Sequence, residues 1–372
     1  MFISARLAHT IFVADVQYTI HFTHHASLSV GMMKLPLPSA PSVWEAKSPS
    51  EWETQMRLAK QSTRAKFYSL NSSIVALMSI KDADHRHEFT SRFDSSNPFA
   101  LHILIHAIAS AIGDYKYRIV TSSSSFATHI LKVADFDEAL RYWHGCFNRM
   151  PDADKRSRVS WSALLMYHFA NVLLRNNISD IQMAAGSAFS FGRMVTAQRA
   201  QDAHKRLATT LPVGHESYMH GLAIVNLCLQ DATERSQEET GPPRPPWQIY
   251  CAFLGALILW ARTVSLEKLG RSRANNASHG ISPYSVTDAE FLIMRHAAHT
   301  AVEPVAKMVN HELNYSDLDI HDVDTTKEDL YLLIQTVRDR LGGSSWYICK
   351  SKGRTGRHIQ TSLFLRPSTS LI

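Results

Sequence analysis

The chain has 372 residues, of which 45% are hydrophobic and 9% aromatic, and this content argues against general disorder because it can build one large or two ordinary cores. Lysine and arginine number 39 against 33 aspartate and glutamate, for a formal net charge of +6. Over this length the excess is mild, which argues against a dense basic surface that binds a polyanion such as nucleic acid. Cys146, Cys228, Cys251 and Cys349 lie far apart, which fits neither a disulfide framework nor a zinc finger and favours a reducing compartment.

The opening segment, residues 1–20, is apolar in patches. Arg6, His9, Asp15 and Gln17 interrupt the continuous apolar core that a signal peptide needs. The sequence therefore does not indicate secretion.

A proline-broken extended segment then leads into the first strong helix signal. Ser48, Pro49 and Glu51 form a capping box, with the serine as N-cap, the proline as first helical residue and the glutamate as third. A helix is therefore predicted to begin at Pro49. Trp52 lies in its first turn and Trp44 precedes the cap, so we expect the two indoles to pack on one side of the helix entry and to clamp the extended segment.

Apolar residues at spacings of three and four dominate the remainder and predict helices. The predicted helices are 66–80, 97–117, 124–148, 160–175, 193–209, 213–233, 247–269, 287–314 and 326–341. No convincing alternating strand and no internal repeat is evident, so the predicted fold class is all-α, an irregular multi-helix bundle without a sheet. Irregular helix pairs stacked in an arc stay open as an alternative.

Residues 249–261 are the most apolar stretch of the chain. Its thirteen residues are fewer than the roughly 20 that a membrane-spanning helix needs. We therefore predict a buried core helix here and no membrane partner.

His102 and His106 lie four residues apart on one predicted helix face, a spacing at which two imidazoles can hold one metal ion. No glutamate separates them as in the HExxH zinc motif, and their neighbours are apolar. Buried or half-buried histidines bonded to backbone groups are therefore favoured over a metal site or a pH switch.

The acidic segment 317–328 places Asp317, Asp319 and Glu328 at positions 1, 3 and 12 of a calcium loop. Asp322 occupies the sixth position, where the sharp turn needs glycine. A solvated acidic loop that caps the next helix is therefore favoured. Since nucleophile-elbow, phosphate-loop and dinucleotide patterns are absent from the sequence, no catalytic residue is predicted.

Residues 35–52, LPLPSAPSVWEAKSPSEW, resemble the LP-x-P-x-x-x-W-x-A-x-(S/T)-x-x-x-W signature of the regulatory region of fungal zinc-finger transcription factors, the fungal-specific transcription factor domain or middle homology region. Three more segments resemble that region in the same order. Phe12–Asp15 is similar to its aromatic-Asp helix end, 96–112 to the helix that follows, and 344–359 to its closing helix.

The resemblance implies a regulatory domain of a fungal RNA polymerase II transcription factor that is nuclear, non-enzymatic and bound to transcription machinery or co-regulator proteins, with a small-molecule effector as a further expectation. It implies DNA contact only through an N-terminal zinc-finger module that these residues do not contain, so no cofactor, and no zinc, is expected in this chain. A helical metal-dependent enzyme and a helical interaction scaffold unrelated to transcription stay open as alternatives.

Three divisions of the chain are predicted. Residues 1–34 are the end of a truncated N-terminal helical part, and 35–342 are the all-helical regulatory domain with a loop at 232–246. Residues 343–372 lose the helical apolar pattern and are expected to be a diverged or misframed tail.

Overall fold

A computed structural model describes the chain in thirteen segments, which fall into two compact units, Met1–Leu174 and Arg175–Ile372. The described residues are 2–22, 26–39, 41–62, 69–78, 97–121, 126–187, 189–190, 193–209, 213–236, 247–248, 250–262, 346–351 and 360–365. Helices make up most of these residues, which confirms the all-α class for the described part of the chain.

The described secondary-structure elements of the first unit are all helices. They are α1 (Phe2–Phe22), a 3₁₀ turn (Val30–Met32), α2 (Pro41–Trp44), α3 (Pro49–Ser62), α4 (Leu70–Met78), α5 (Pro98–Thr121), α6 (Phe126–Asn148), α7 (Asp152–Lys155) and α8 (Arg158–Arg175). Helices α1, α4 and α6 all contact α5, and α4 also contacts α6. Helix α5 is therefore the centre of this unit.

Helix α5 is central because it is apolar on nearly every side, the pattern of a helix that neighbours surround. Its residues 103–105 and 107–109 are almost completely buried. Asn97 caps its first turn, since Asn97 Oδ1 accepts a hydrogen bond from the Ala100 amide at 3.1 Å, and Pro98 fits the first helical position. Pro98–Lys116 is long and apolar enough to cross a membrane, but 67% of that window is buried inside the fold, as in a core helix.

The second unit contains four described helices and two strand pairs. They are α9 (Ile178–Ala184), β1 (Phe189–Ser190), β2 (Arg193–Met194), α10 (Ala197–Thr209), α11 (His215–Ser236), α12 (Tyr250–Arg262), β3 (Trp346–Ser351) and β4 (Gln360–Leu365). Helix α9 contacts α10, and Arg206 on α10 holds the buried Asp180 of α9 through two hydrogen bonds of 3.0 and 2.6 Å. This pair fixes α10 against α9.

Helix α12 confirms the prediction of a core helix in the most apolar stretch. Its residues 250–259 and Ala261 are buried, and the Tyr250 hydroxyl accepts a hydrogen bond from Gln182 at 3.0 Å. Burial raises the pKa of the Tyr250 hydroxyl above its ordinary range, and the bond from Gln182 opposes that shift.

The strands are additions that the sequence pattern did not predict. Each sheet has two antiparallel strands, β1 with β2 and β3 with β4. The pair β3 and β4 overturns the closing helix expected at 344–359, because Trp346 pairs with Leu365 and Lys350 with Thr361 in an antiparallel register. The aromatic and branched side chains of 346–348 favour extended backbone.

Several predictions lie outside the described residues. These are the helices at 287–314 and 326–341, the acidic segment 317–328 with its candidate ligands, and residues 237–246 of the predicted loop. The first five residues of that loop, 232–236, belong instead to helix α11.

Candidate functional site: the tryptophan segment and the buried histidine pair

The capping box is confirmed at the start of α3. Helix α3 begins at Pro49, and Ser48 Oγ accepts a hydrogen bond from the Glu51 amide at 3.2 Å. The Glu51 carboxylate reaches back to the amide of Lys47 at 2.8 Å, one residue before the N-cap. The box therefore satisfies amides on both sides of the cap.

Arg6 of α1 joins the tryptophan segment, residues 35–52, to helix α5. Its guanidinium carbon lies 4.5 Å from the ring centre of Trp44 and 4.8 Å from that of Phe99, so one cation contacts two aromatic faces. Burial lowers the pKa of the Arg6 guanidinium, and the Glu45 carboxylate opposes that shift. Nothing in the local pattern around Arg6 predicts this role, because both rings are distant in sequence.

The proline-rich segment before α2 has backbone contacts of its own. Asn97 Nδ2 donates to the carbonyl of Pro38 at 2.8 Å, and the Leu70 amide donates to the carbonyl of Leu35 at 3.2 Å. The segment is thus held by polar contacts to the starts of α5 and α4. The Asn97-Pro98 dipeptide is a sequence signal for the start of α5, since asparagine before proline is typical of a helix start, but it does not predict the contact with Pro38.

The two indoles lie on different helices and stay partly exposed. Trp44 is the last residue of α2 and Trp52 lies in the first turn of α3, and their exposed fractions are 42% and 38%. The clamp by paired indoles therefore stays a prediction. The contacts that the structure gives for docking this segment run through Arg6 and Asn97.

Phe12 and Asp15 lie inside α1, which continues to Phe22. The helix end expected at Asp15 is therefore wrong. Phe12 is fully buried, and Asp15 Oδ2 accepts a hydrogen bond from the Leu28 amide at 2.8 Å, so this carboxylate fixes the segment that follows α1.

His102 and His106 form a stacked pair at the interface of α1 and α5. Their ring centres are 4.4 Å apart and the ring planes differ by 25°. His106 Nδ1 lies 2.8 Å from the carbonyl oxygen of His102, and its Nε2 lies 3.0 Å from the Gln17 amide nitrogen. Since a carbonyl only accepts, Nδ1 carries the proton and Nε2 accepts from Gln17.

This arrangement confirms a backbone-bonded, buried histidine for His106. His102 does not follow this prediction, because its two buried ring nitrogens have no hydrogen-bond partner among the described residues. Metal ligands need lone pairs that converge on one point, and lone pairs lie in the ring planes. Two nearly parallel rings, one of which already accepts from Gln17, do not offer such a point.

Burial keeps both imidazoles neutral. It lowers the pKa of His106 to about 4, with the bond to the His102 carbonyl opposing the shift. Burial and the neighbouring His106 together lower the pKa of His102 well below its ordinary value. The pair thus contributes packing and one polar link to α1 at neutral pH, without charge.

One comparison with known proteins points to a biological process. Over 277 residues the chain is 24% identical to the nicotinate catabolism cluster-specific transcription factor of Emericella nidulans, and the match covers 69% of this chain and 30% of that protein. The chain thus spans less than a third of the length of this relative, and it is similar to a fungal transcription factor. No protein-family model matches the chain. No solved structure matches it either.

Proposed function

We propose that this chain is an all-helical regulatory region of a fungal RNA polymerase II transcription factor that acts in the nucleus. The observation that carries the proposal is the similarity over 277 residues to the Emericella nidulans transcription factor. The tryptophan segment supports it, because residues 35–52 resemble the regulatory signature, with five residues in place of three between Pro38 and Trp44, and a helix begins at Pro49.

The task of such a region is to hold two packing arrangements whose balance a partner shifts by preferring one of them. The contacts of the tryptophan segment suit this task. Each is a single hydrogen bond or a cation–π contact, worth about 1 kcal/mol. Trp44 and Trp52 are also partly exposed and Val43 is the one buried side chain among the described residues of 35–52, so release of the segment would remove one small side chain from the core.

Partners in this proposal are transcription machinery or co-regulator proteins, and the effector is a small molecule. DNA contact belongs to a zinc-finger module of the family and not to the residues of this chain. Among the described residues, no group of three or more His, Cys, Asp or Glu side chains could hold a metal ion. No catalytic residue is proposed.

A fusion experiment tests the proposal. The chain is joined to a heterologous DNA-binding domain and expressed in fungal cells with a reporter gene behind the matching DNA site. We expect reporter output to differ at least about threefold from that of the DNA-binding domain alone, either constantly or after nicotinate is added. Nicotinate is the first effector to try because the name of the relative refers to its catabolism.

The matched variants are Arg6→Gln, which removes the cation between Trp44 and Phe99, and Arg57→Gln on exposed α3 as control. Arg6→Gln should change the reporter response while Arg57→Gln should not. The proposal is wrong if the nuclear, folded fusion gives the output of the DNA-binding domain alone under every condition.

A further inference from the structure

Helices α11 and α12 pack antiparallel at very short range. A methyl group built on Gly221 would lie 3.2 Å from Ile258 Cβ and 3.4 Å from the carbonyl oxygen of Gly255. One built on Gly255 would lie 3.0 Å from Ile224 Cγ2. The residue numbers of facing positions rise on one helix as they fall on the other, as an antiparallel pair requires.

This register brings two cysteines to facing positions. Ile258 faces Gly221, and Gly255 faces Ile224. The same antiparallel step, continued by one helical turn, places Cys251 opposite Cys228. Cys228 Sγ lies 3.9 Å from the carbonyl oxygen of Gln248, two residues before α12, which independently places Cys228 near the start of that helix.

Both side chains are thiols in the structure and both are buried. The charge of Cys228 contributes to raising the pKa of Cys251 beyond the effect of burial, as expected for two sulfurs that are close. Disulfides need Cβ atoms about 3.5–4.5 Å apart. The facing pair Gly221 and Ile258, about two helical turns away on the same contact face, has its Cβ positions at 3.2 Å, so the two backbones approach each other closely along this face.

We propose that Cys228 and Cys251 are a redox pair whose disulfide locks α11 against α12. The oxidant is a small disulfide of the glutathione class. One thiolate attacks glutathione disulfide, forms a mixed disulfide and releases one glutathione, which takes up a proton. The second thiolate then attacks the protein-side sulfur, forms the Cys228–Cys251 bond and releases the second glutathione. The protein loses two electrons and two protons, and glutathione disulfide gains them.

Burial sets the condition under which this reaction runs. A thiolate is the attacking form, and burial disfavours it for both sulfurs. Oxidation therefore proceeds from moments in which the two helices separate, and the bond then holds them in the closed arrangement. In a reducing compartment the same exchange runs backward, so the lock is reversible.

The experiment uses the purified full chain and glutathione disulfide. Intact mass should fall by two hydrogens, and a non-reduced digest should contain a peptide that joins Cys228 to Cys251. The melting temperature should rise by about 5 °C and return when dithiothreitol is added. Cys228→Ser and Cys251→Ser should each abolish the rise. Cys146→Ser should keep it, since Cys146 is a buried thiol of the other unit.

The joined peptide is read from the unmodified protein, so the test stands even if a serine variant fails to fold. Absence of that peptide after oxidation, with glutathione adducts or other linkages in its place, would overturn the proposal. An equal rise in melting temperature in Cys228→Ser would overturn it too.

Discussion

The two units bury an apolar helix by different means. Helix α5 packs with large side chains and carries polar groups, the stacked histidine pair among them, into its interfaces. Helix α12 packs through Gly255 against Gly221 of α11, where even a methyl group would meet atoms at 3.0–3.2 Å. Hydropathy alone does not separate these helices. The difference teaches that close backbone approach and bulky interdigitation are alternative routes to a dense interior.

The largest loss of stability is expected where a large buried side chain of the first unit is removed. Trp143 is fully buried, its Nε1 donates to the carbonyl of Leu101 at 2.9 Å, and its ring lies 5.4 Å from those of Phe147 and Tyr167. Trp143→Ala should lower the free energy of unfolding by about 3–5 kcal/mol, measured by urea denaturation.

Trp52→Ala is the matched control, because Trp52 is 38% exposed. It should cost about 1 kcal/mol, since a partly exposed ring loses less burial. Equal losses in the two variants would show that the tryptophan segment is as essential to the fold as the core.

The next largest effect is expected in the stability of the protein at acid pH. The described histidines whose pKa burial lowers, His9, His102, His106 and His144, all lie in the first unit. Burial holds the pKa of His106 at about 4, against 6.5 for the exposed group. The unfolded chain therefore binds the proton more tightly. The contribution of the neutral His106 to stability is fully present above pH 6.5 and is lost as the pH falls towards 4. The loss from His106 approaches about 3 kcal/mol at the low end.

Hydrogen exchange read by mass spectrometry checks this, since peptides of Met1–Leu174 should lose protection before those of Arg175–Ile372 as the pH falls. His106→Gln removes one of these imidazoles and should reduce the loss in the first unit, while the other histidines and the carboxylates are common to both proteins. A loss of protection that begins in the second unit, or that persists unchanged in His106→Gln, would contradict the assignment to the imidazole.

Much of the fold could be predicted because its signals are local. The start of α3 follows from Ser48, Pro49 and Glu51, three residues within a span of four, and the core helix at Tyr250–Arg262 follows from an uninterrupted apolar run. Such patterns act through backbone geometry within one or two turns, so they need no knowledge of the tertiary fold.

The features that the sequence did not predict depend on contacts between residues that are far apart in the chain. In the sequence, Arg6 is a charged residue that interrupts an apolar segment. Only the fold shows that its guanidinium lies between the rings of Trp44 and Phe99. In the same way, His102 and His106 have the spacing of metal ligands, but the choice between chelation and stacking depends on Gln17, 89 residues away from His106. The strand Trp346–Ser351 was missed because its tryptophan and lysine fitted a helical signature, while pairing with Gln360–Leu365 decides the backbone.

A smaller effect tests the second unit directly. Gly255→Ala places a methyl group 3.0 Å from Ile224 Cγ2 and Val225 Cγ2 and 3.1 Å from the Gly221 carbonyl. It should lower the free energy of unfolding by about 1–3 kcal/mol through overpacking. Gly113→Ala in α5 is the matched control, because nothing lies within 4 Å of its built methyl group.

That control should stabilise the protein by up to about 1 kcal/mol, since alanine has the higher helix propensity. Urea denaturation of both variants measures the contrast. Destabilisation by both alanines to the same extent would mean that glycine is needed in α5 as well, and the difference between the two helices would disappear.

The smallest effect is expected at the entry to α3, where neither bulk nor close approach is involved. Ser48→Ala removes the oxygen that accepts from the Glu51 amide and should cost about 1 kcal/mol. Because the first turns of α3 are largely exposed, that loss should appear as faster hydrogen exchange in residues 49–62 and leave α5 protected. Ser50→Ala, two residues on and exposed, is the control that keeps the cap. If Ser48→Ala also loosened α5, the tryptophan segment would be part of the core and not a separately held element.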